Sequence, residues 1–180
     1  IIVSIIAIIL FIVFSIFVSN IIVSSLQIFN DGLTKFFAYL NRDVKLISRM
    51  LGVSPYYFPM MEQQLDRFQI PLELKYLAIV ESALQPKAKS KVGAGGLWQF
   101  MPYTGKLMGM KINYSVDERK SILASTEKAC EYFQNSQTIF NNWLLSIASY
   151  NCGAGNVMKA MRRAGGKTKD FWQILKFLPK

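Results

Sequence analysis

The residue best suited to chemistry is Glu81, which follows an almost unbroken apolar stretch in AIVESALQPKAKSKVGAGGLWQFMP, from Ala78 to Pro102. If residues 71–83 form one helix, Glu81 continues the stripe of Leu74 and Ala78, and the helix is buried nearly all round. Burial and the negative end of the helix dipole both disfavour the ionised carboxylate. Glu81 is therefore predicted to stay protonated near neutral pH, as a general acid must. The alternative is that it pairs with a lysine or caps a loop.

Glycines that follow Glu81 predict a tight backbone path leading into side chains suited to sugar binding. The glycines are Gly93, Gly95 and Gly96, and the side chains are those of Trp98, Gln99, Phe100 and Met101. Aromatic faces stack on sugar rings, and an amide hydrogen-bonds to hydroxyl and N-acetyl groups. The alternative for the two aromatic residues is a place in the hydrophobic core. A phosphate-binding loop is excluded because no strand precedes the glycines and no Lys-Ser or Lys-Thr closes the motif.

A second cluster, Tyr150 and Asn151, ends a predicted helix with a phenol and an amide that can hydrogen-bond to a carboxyl group or a sugar. The acids that follow Glu81 are expected to have structural roles, because they begin a helix, pair along it or lie in a polar turn. They are Asp117, Glu118, Glu127, Glu131 and Asp170. No second catalytic acid is therefore predicted beside Glu81.

The amino-acid composition excludes several classes of catalytic and metal-binding site. Histidine is absent, which excludes histidine-based acid–base catalysis and zinc sites built from His and Cys. Cys130 and Cys152 form either one disulfide, if the domain lies outside the cytoplasm, or two buried thiols. The formal charge of +10 predicts an anionic partner such as lipid, nucleic acid or cell-wall polymer. Because the basic residues are scattered and form no recognisable module, nucleic acid is not the predicted partner.

The N-terminal residues 1–29 are the most apolar part of the chain. Their first 18 positions contain only Ser4 and Ser15 as polar interruptions, which is close to the length of a membrane-spanning helix. We predict an uncleaved membrane anchor, with a cleaved signal segment as the alternative. Either one places the rest of the chain outside the cytoplasm, in the cell envelope. A lead-in over residues 30–53 and a compact, mainly helical domain over residues 54–180 are expected to follow.

Helix boundaries within that domain are indicated by prolines and capping residues. Pro59 and Pro71 are predicted to begin helices. Ser115 and Glu118 have capping-box spacing before a helix that runs from about residue 117 into the 130s. The remaining predicted elements are an irregular or small β region near residues 86–100 and helices over residues 142–150 and 154–164.

These motifs resemble those of a known protein family. The chain resembles the family 1 lytic transglycosylases, which cut peptidoglycan, in ESALQPKAKSKVGAGGLWQFMP followed by SYNCGAGNV. It is similar to the membrane-bound lytic murein transglycosylase D group in FPMMEQQLDRFQIPLELKYLAIVES, VDERKSILASTEKACEYF and FWQILKFLP. The resemblance extends over roughly residues 45–180. It implies a mainly helical, α+β lysozyme-like fold, here preceded by an apolar N-terminal helix.

The resemblance also implies roles for individual residues. Glu81 would be the one catalytic acid, supported by hydrogen bonding from Ser82 and oriented by Tyr150. The glycan would be bound by Gln99, Phe100, the backbone around Met101, Tyr150 and Asn151.

A lytic transglycosylase cleaves between N-acetylmuramic acid and N-acetylglucosamine and leaves a 1,6-anhydromuramic end, without metal or organic cofactor. That reaction needs one acid, because the 6-hydroxyl of the substrate attacks in place of water. The alternatives are a hydrolytic muramidase on the same fold and a non-catalytic cell-wall-binding protein. Relatives usually continue beyond the position of Lys180, so we expect part of the cleft wall or a wall-binding module there.

Overall fold

A computed structural model describes residues 44–166 and 170–179. The described residues from Lys45 onward belong to one compact unit. Within the described ranges, no helix combines the length and the apolarity needed to cross a membrane. The predicted membrane segment, residues 1–29, lies outside these ranges.

The first described helix, α1, runs from Val44 to Arg67 and contains both Pro55 and Pro59. The prediction that Pro59 begins a helix is therefore wrong. A proline inside a helix leaves the carbonyl four residues earlier without its usual donor. At Pro55 the Ser54 hydroxyl compensates by donating to the Leu51 carbonyl at 3.1 Å.

Buried apolar residues before and after these prolines pack α1 against the hydrophobic core. Met50, Met61 and Leu65 are all buried, and their spacing of eleven and four residues places them on one helical face. Burial of this shared face supplies the tertiary packing that outweighs the loss of helical hydrogen bonds. The helix thus passes through residues 53 and 54, where the lead-in was expected to end.

A short helical segment carries Glu81. A 3-10 helix over Leu72–Tyr76 leads into α2, Leu77–Ser82, and Pro71 lies just before the first of these. The expectation of a single helix buried nearly all round is wrong, since the side chain of Val80 is 76% exposed. Leu74 and Ala78 are buried in the core, and Leu77 and Ile79 pack against it while partly exposed.

The segment after α2 is irregular, as the glycines predicted. Isolated β-bridges join Gly95 to Lys89 and to Phe100, which confirms a small β region near residues 86–100. Helix α3, Pro102–Leu107, follows at once, with its proline at the first helical position.

The long helix α4 spans Ile122–Phe140 and is preceded by a 3-10 turn over Glu118–Lys120. Its N-cap is Ser121, which accepts a hydrogen bond from the Ala124 N–H. The predicted capping box of Ser115 and Glu118 is therefore wrong. The Asn113 carboxamide instead accepts from the Ser115 N–H, and the Glu118 carboxylate accepts from the Lys111 N–H at 2.6 Å.

Helices α5, Trp143–Cys152, and α6, Ala154–Arg163, are separated by Gly153 alone. The described chain ends with α7, Phe171–Ile174, and a 3-10 turn, Leu175–Phe177. The main core contains Met61, Trp98 and Phe133, and a second cluster contains Phe140, Leu145, Val157 and Ile174. The mainly helical class is confirmed and is consistent with the lysozyme-like fold expected from the resemblance.

Candidate active site

An open cavity of about 440 Å³ brings together residues from α2, the 86–101 segment, α3, α4 and α5. Six of the residues predicted for the site lie in its wall. They are Glu81, Gln99, Phe100, Met101, Tyr150 and Asn151. Among the lining residues that the structure describes, Glu81 is the sole acid. The cavity therefore offers one carboxyl group beside aromatic, amide and hydroxyl groups.

Glu81 lies in the last turn of α2 with its side chain half-buried. Burial removes water from the carboxylate and raises the pKa of Glu81 above its ordinary value. The predicted direction is confirmed, and desolvation is its cause. None of the ion pairs among the described residues involves Glu81, so pairing with a lysine is not observed.

Gln99 takes a left-handed backbone conformation with φ of 49°, which is uncommon for a residue with a side chain. The Gly96 carbonyl holds this turn by accepting from the Gln99 backbone N–H at 3.3 Å and from its side-chain amide at 2.8 Å. The amide is thereby folded back toward its own loop at the cavity wall. Its orientation depends on where the loop places Gly96.

The aromatic residues that flank Gln99 have different roles. Trp98 is fully buried, and its indole N–H donates to the Thr126 hydroxyl at 2.9 Å. The alternative of a core residue is therefore correct for Trp98, and it presents no face to a sugar. Phe100 is also nearly buried, yet it contributes to the cavity wall and meets the Tyr150 ring edge-on at 5.8 Å.

The Tyr150 hydroxyl donates to the Trp98 carbonyl at 2.6 Å, and its ring stacks on Phe133 at 4.9 Å. Burial, followed by the nearby negative charge of Glu81, raises the pKa of Tyr150 well above its usual range. The hydroxyl proton of Tyr150 is therefore used in the hydrogen bond to the Trp98 carbonyl oxygen. Toward a neighbouring group in the cavity, the Tyr150 oxygen can act as a hydrogen-bond acceptor through its lone pairs.

Ser82 is buried and braces the end of α2. Its hydroxyl donates to the Ala78 carbonyl at 3.0 Å and accepts from the Gln85 N–H at 3.3 Å. Asn151, by contrast, is exposed where α5 borders the cavity. The resemblance assigned Ser82 a hydrogen-bonding role in the site, and the bonds it makes here support the backbone behind Glu81.

Residues that the sequence did not single out complete the wall. They are Ser90, Val92, Ala94, Thr104 and Tyr132. The most notable is Tyr132 of α4, whose hydroxyl donates to the Ser149 carbonyl at 2.6 Å and whose ring lies edge-on to Tyr150 at 5.1 Å. An aromatic residue in the middle of an amphipathic helix is typical of a core position, so no local signal marks it.

Neither cysteine is among the residues that line this cavity. Cys130 is a buried free thiol and Cys152 a half-buried one, so no disulfide joins them in the structure. Burial raises the pKa of Cys130 to about 12. In the part of the chain that the structure describes, no group of three His, Cys, Asp or Glu side chains is arranged to hold a metal ion.

Comparison with known proteins shows the family to which this chain belongs. The profile of the Transglycosylase SLT domain family matches residues 59–173, more than half of the chain. Membrane-bound lytic murein transglycosylase D of Escherichia coli, in strains K12 and O6:H1, is 39% identical over 139 residues, which are 76% of this chain and 30% of that protein. Membrane-bound lytic murein transglycosylase F of Desulfosudis oleivorans is 28% identical over 136 residues, 73% of this chain and 30% of that protein. The chain therefore spans less than a third of the length of these relatives.

Proposed function

The chain belongs to the family of transglycosylase SLT domains, and from this premise we propose that it cleaves peptidoglycan as a lytic transglycosylase. The observation that carries the proposal is Glu81, the one acid among the described residues that line the cavity, whose pKa is raised by burial. Binding to the cell wall alone does not require a carboxyl group held toward its neutral form. A general acid requires that form.

The reaction proceeds in two steps that both use Glu81. The protonated carboxyl first donates to the glycosidic oxygen between N-acetylmuramic acid and N-acetylglucosamine, and the bond from that oxygen to the anomeric carbon breaks. The N-acetyl group of the muramic residue shields the anomeric carbon meanwhile. The Glu81 carboxylate then accepts the proton of the muramic 6-hydroxyl as that oxygen bonds to the anomeric carbon. Holding the hydroxyl in place makes the second step unimolecular, which favours it over attack by water.

Tyr150 assists by holding the proton on Glu81 before the first step. Because its own proton goes to the Trp98 carbonyl, the Tyr150 oxygen acts toward Glu81 as an acceptor. A hydrogen bond from the protonated carboxyl to this oxygen favours the neutral acid over the carboxylate. This role agrees with the influence of the Glu81 charge on the Tyr150 hydroxyl.

The glycan strand lies along the wall formed by Gln99, Phe100, the backbone of Met101 and Asn151. The cavity volume of about 440 Å³ is in the range of small-ligand sites and suits one or two sugar rings. The excess of positive charge attracts an anionic wall polymer. We place the protein in the cell envelope outside the cytoplasm, with residues 54–180 as the catalytic domain and residues 1–29 as its membrane segment.

The identity of the product tests this function. When purified peptidoglycan is digested with the full chain, we expect glycan ends that lack one water relative to hydrolytic ends, because the 6-hydroxyl replaces water as the nucleophile. Mass spectrometry of the released fragments measures this difference. Reducing muramic ends would identify a hydrolytic muramidase instead, and binding without any cleavage would identify a wall-binding protein. Either result contradicts the proposed function.

A further inference from the structure

Arg119 is a buried cation that lies behind the cavity wall. The residue is only 5% exposed, and its guanidinium pairs with the Asp117 carboxylate through two parallel bonds. The Nε to Oδ1 and Nη2 to Oδ2 distances are both 2.9 Å. This bidentate geometry fixes the plane of the guanidinium as well as its position.

The third nitrogen of Arg119 reaches across to the loop of residues 93–100. Nη1 donates to the Gly93 carbonyl at 2.8 Å and to the Phe100 carbonyl at 3.0 Å. These carbonyls belong to the first and last residues of the loop. The Phe100 carbonyl also accepts from the Gly95 N–H at 3.0 Å, so the loop is closed by both contacts together.

Two glycines of this loop, Gly95 and Gly96, lie close to Arg119. A Cβ atom on Gly95 would lie 3.1 Å from Cζ of Arg119, which is a tight contact that the guanidinium would have to shift slightly to relieve. A Cβ atom on Gly96 would lie 1.7 Å from the Arg119 carbonyl oxygen, which is impossible without movement of the backbone. The loop therefore packs closely against Arg119, and at Gly96 a side chain cannot be added without moving the backbone.

This loop carries residues of the cavity wall, and its Trp98 carbonyl accepts from the Tyr150 hydroxyl, whereas Glu81 lies on α2. The hydrogen bonds of Arg119 go to Asp117 and to the loop. We propose that Arg119, oriented by Asp117, is a positioning residue that fixes the loop of Gln99 and Phe100 for glycan binding. The assignment of the loop to glycan rests on the proposed function.

A purely stabilising role does not account for this arrangement. Replacing a buried ion pair by apolar residues is often neutral or favourable for stability, so such a pair is weak evidence of a contribution to it. What the pair supplies here is a defined geometry at both ends of the loop. Substrate binding should therefore depend on Arg119 more than the chemical step does.

Two variants test the proposal in the full chain. Arg119→Lys keeps the charge but cannot form the paired bonds to Asp117 and reach both loop carbonyls. Asp117→Asn is isosteric and retains an acceptor, so we expect it to fold even if the first variant does not. The matched control is Phe140→Leu, which loosens the second core cluster, apart from the loop and the cavity.

Hydrogen–deuterium exchange and kinetics on soluble peptidoglycan fragments provide the readouts. For Arg119→Lys we expect exchange of the loop amides and KM each to rise about tenfold, the effect of one lost charge-assisted hydrogen bond. The fall in kcat should be smaller, since the loop acts on the chemical step only through the bond of the Trp98 carbonyl to Tyr150. Asp117→Asn should change both in the same direction by less. Phe140→Leu should lower Tm without changing loop exchange or KM.

The proposal is overturned if either variant folds with wild-type loop exchange, if kcat falls while KM is unchanged, or if Phe140→Leu raises KM equally. Loop exchange is measured without substrate. It therefore tests the contact of Arg119 with the loop even if the wild-type chain releases no anhydro ends, which would contradict the proposed function alone.

Discussion

Glu81→Gln is expected to reduce the release of anhydro ends by about a thousandfold while leaving the fold intact, because general acid–base catalysis contributes effects of this size. Glutamine has nearly the same shape as protonated glutamic acid and fits the same half-buried position. It has no proton of suitable acidity to donate and no carboxylate to take one back. Both proposed steps are lost together. Rates are measured on purified peptidoglycan, and the fold is checked by thermal unfolding.

Glu73→Gln provides the matched control for this variant. Glu73 is exposed in the 3-10 helix that leads into α2, so the same chemical change is made outside the cavity. We expect wild-type turnover from it, since an exposed charge of this kind contributes little. Near-normal activity of Glu81→Gln would remove Glu81 from the mechanism. A loss of activity in both variants would show that the effect is not specific to the cavity.

Gly96→Ala is expected to be the most destabilising single change in the loop, by about 3 kcal/mol or more, since overpacking and a left-handed backbone both oppose it. The φ angle of Gly96 is +82°, and an added Cβ atom would lie 1.7 Å from the Arg119 carbonyl oxygen. That oxygen belongs to the backbone and cannot rotate away as a side chain could. Denaturant unfolding measures the loss.

The control for this variant is Gly52→Ala in α1. No atom lies within 4 Å of an added Cβ atom at Gly52, and the residue is inside a regular helix. Alanine there should stabilise the protein by about 0.5–1 kcal/mol, the usual difference between the two residues in a helix. Equal stability of the Gly96 and Gly52 variants would show that the close approach of the loop to Arg119 is not present in solution.

Local chemistry could be predicted from the sequence where one segment determines it. Glu81 continues the stripe of Leu74 and Ala78, which predicted a buried position for its carboxyl group, and the raised pKa follows from its partial burial. The irregular path of residues 86–100 follows from its glycines, whose backbone freedom is an intrinsic property. These expectations required no knowledge of distant residues.

Features that depend on long-range packing could not be predicted in the same way. Pro59 was expected to begin a helix, yet α1 continues through it because buried residues on both sides hold one face. From the sequence, Trp98 could either stack on a sugar or fill the core. Its complete burial and its hydrogen bond to Thr126, a distant residue, show that it is a core residue. Arg119 counts as one of many scattered basic residues until its contacts with Gly93 and Phe100 are known.

The pH dependence of the protein follows from the same carboxyl group. A pKa of Glu81 raised in the folded state means that the native protein binds this proton more strongly than the unfolded chain does. The contribution of Glu81 to stability is therefore greatest below its unfolded pKa and falls as pH rises toward the folded pKa. Turnover should also fall as pH rises through the folded value, because the donor is then ionised.

Titration of Glu81 by carbon NMR, in the free protein and with Glu81→Gln to assign the signal, tests the central claim most directly. A neutral acid held by desolvation should titrate with a midpoint clearly above 4.5, the ordinary value for a glutamate side chain. A midpoint at or below 4.5 would mean that Glu81 is an ordinary ionised carboxylate in the resting protein. It would then have no proton to give to the glycosidic oxygen near neutral pH.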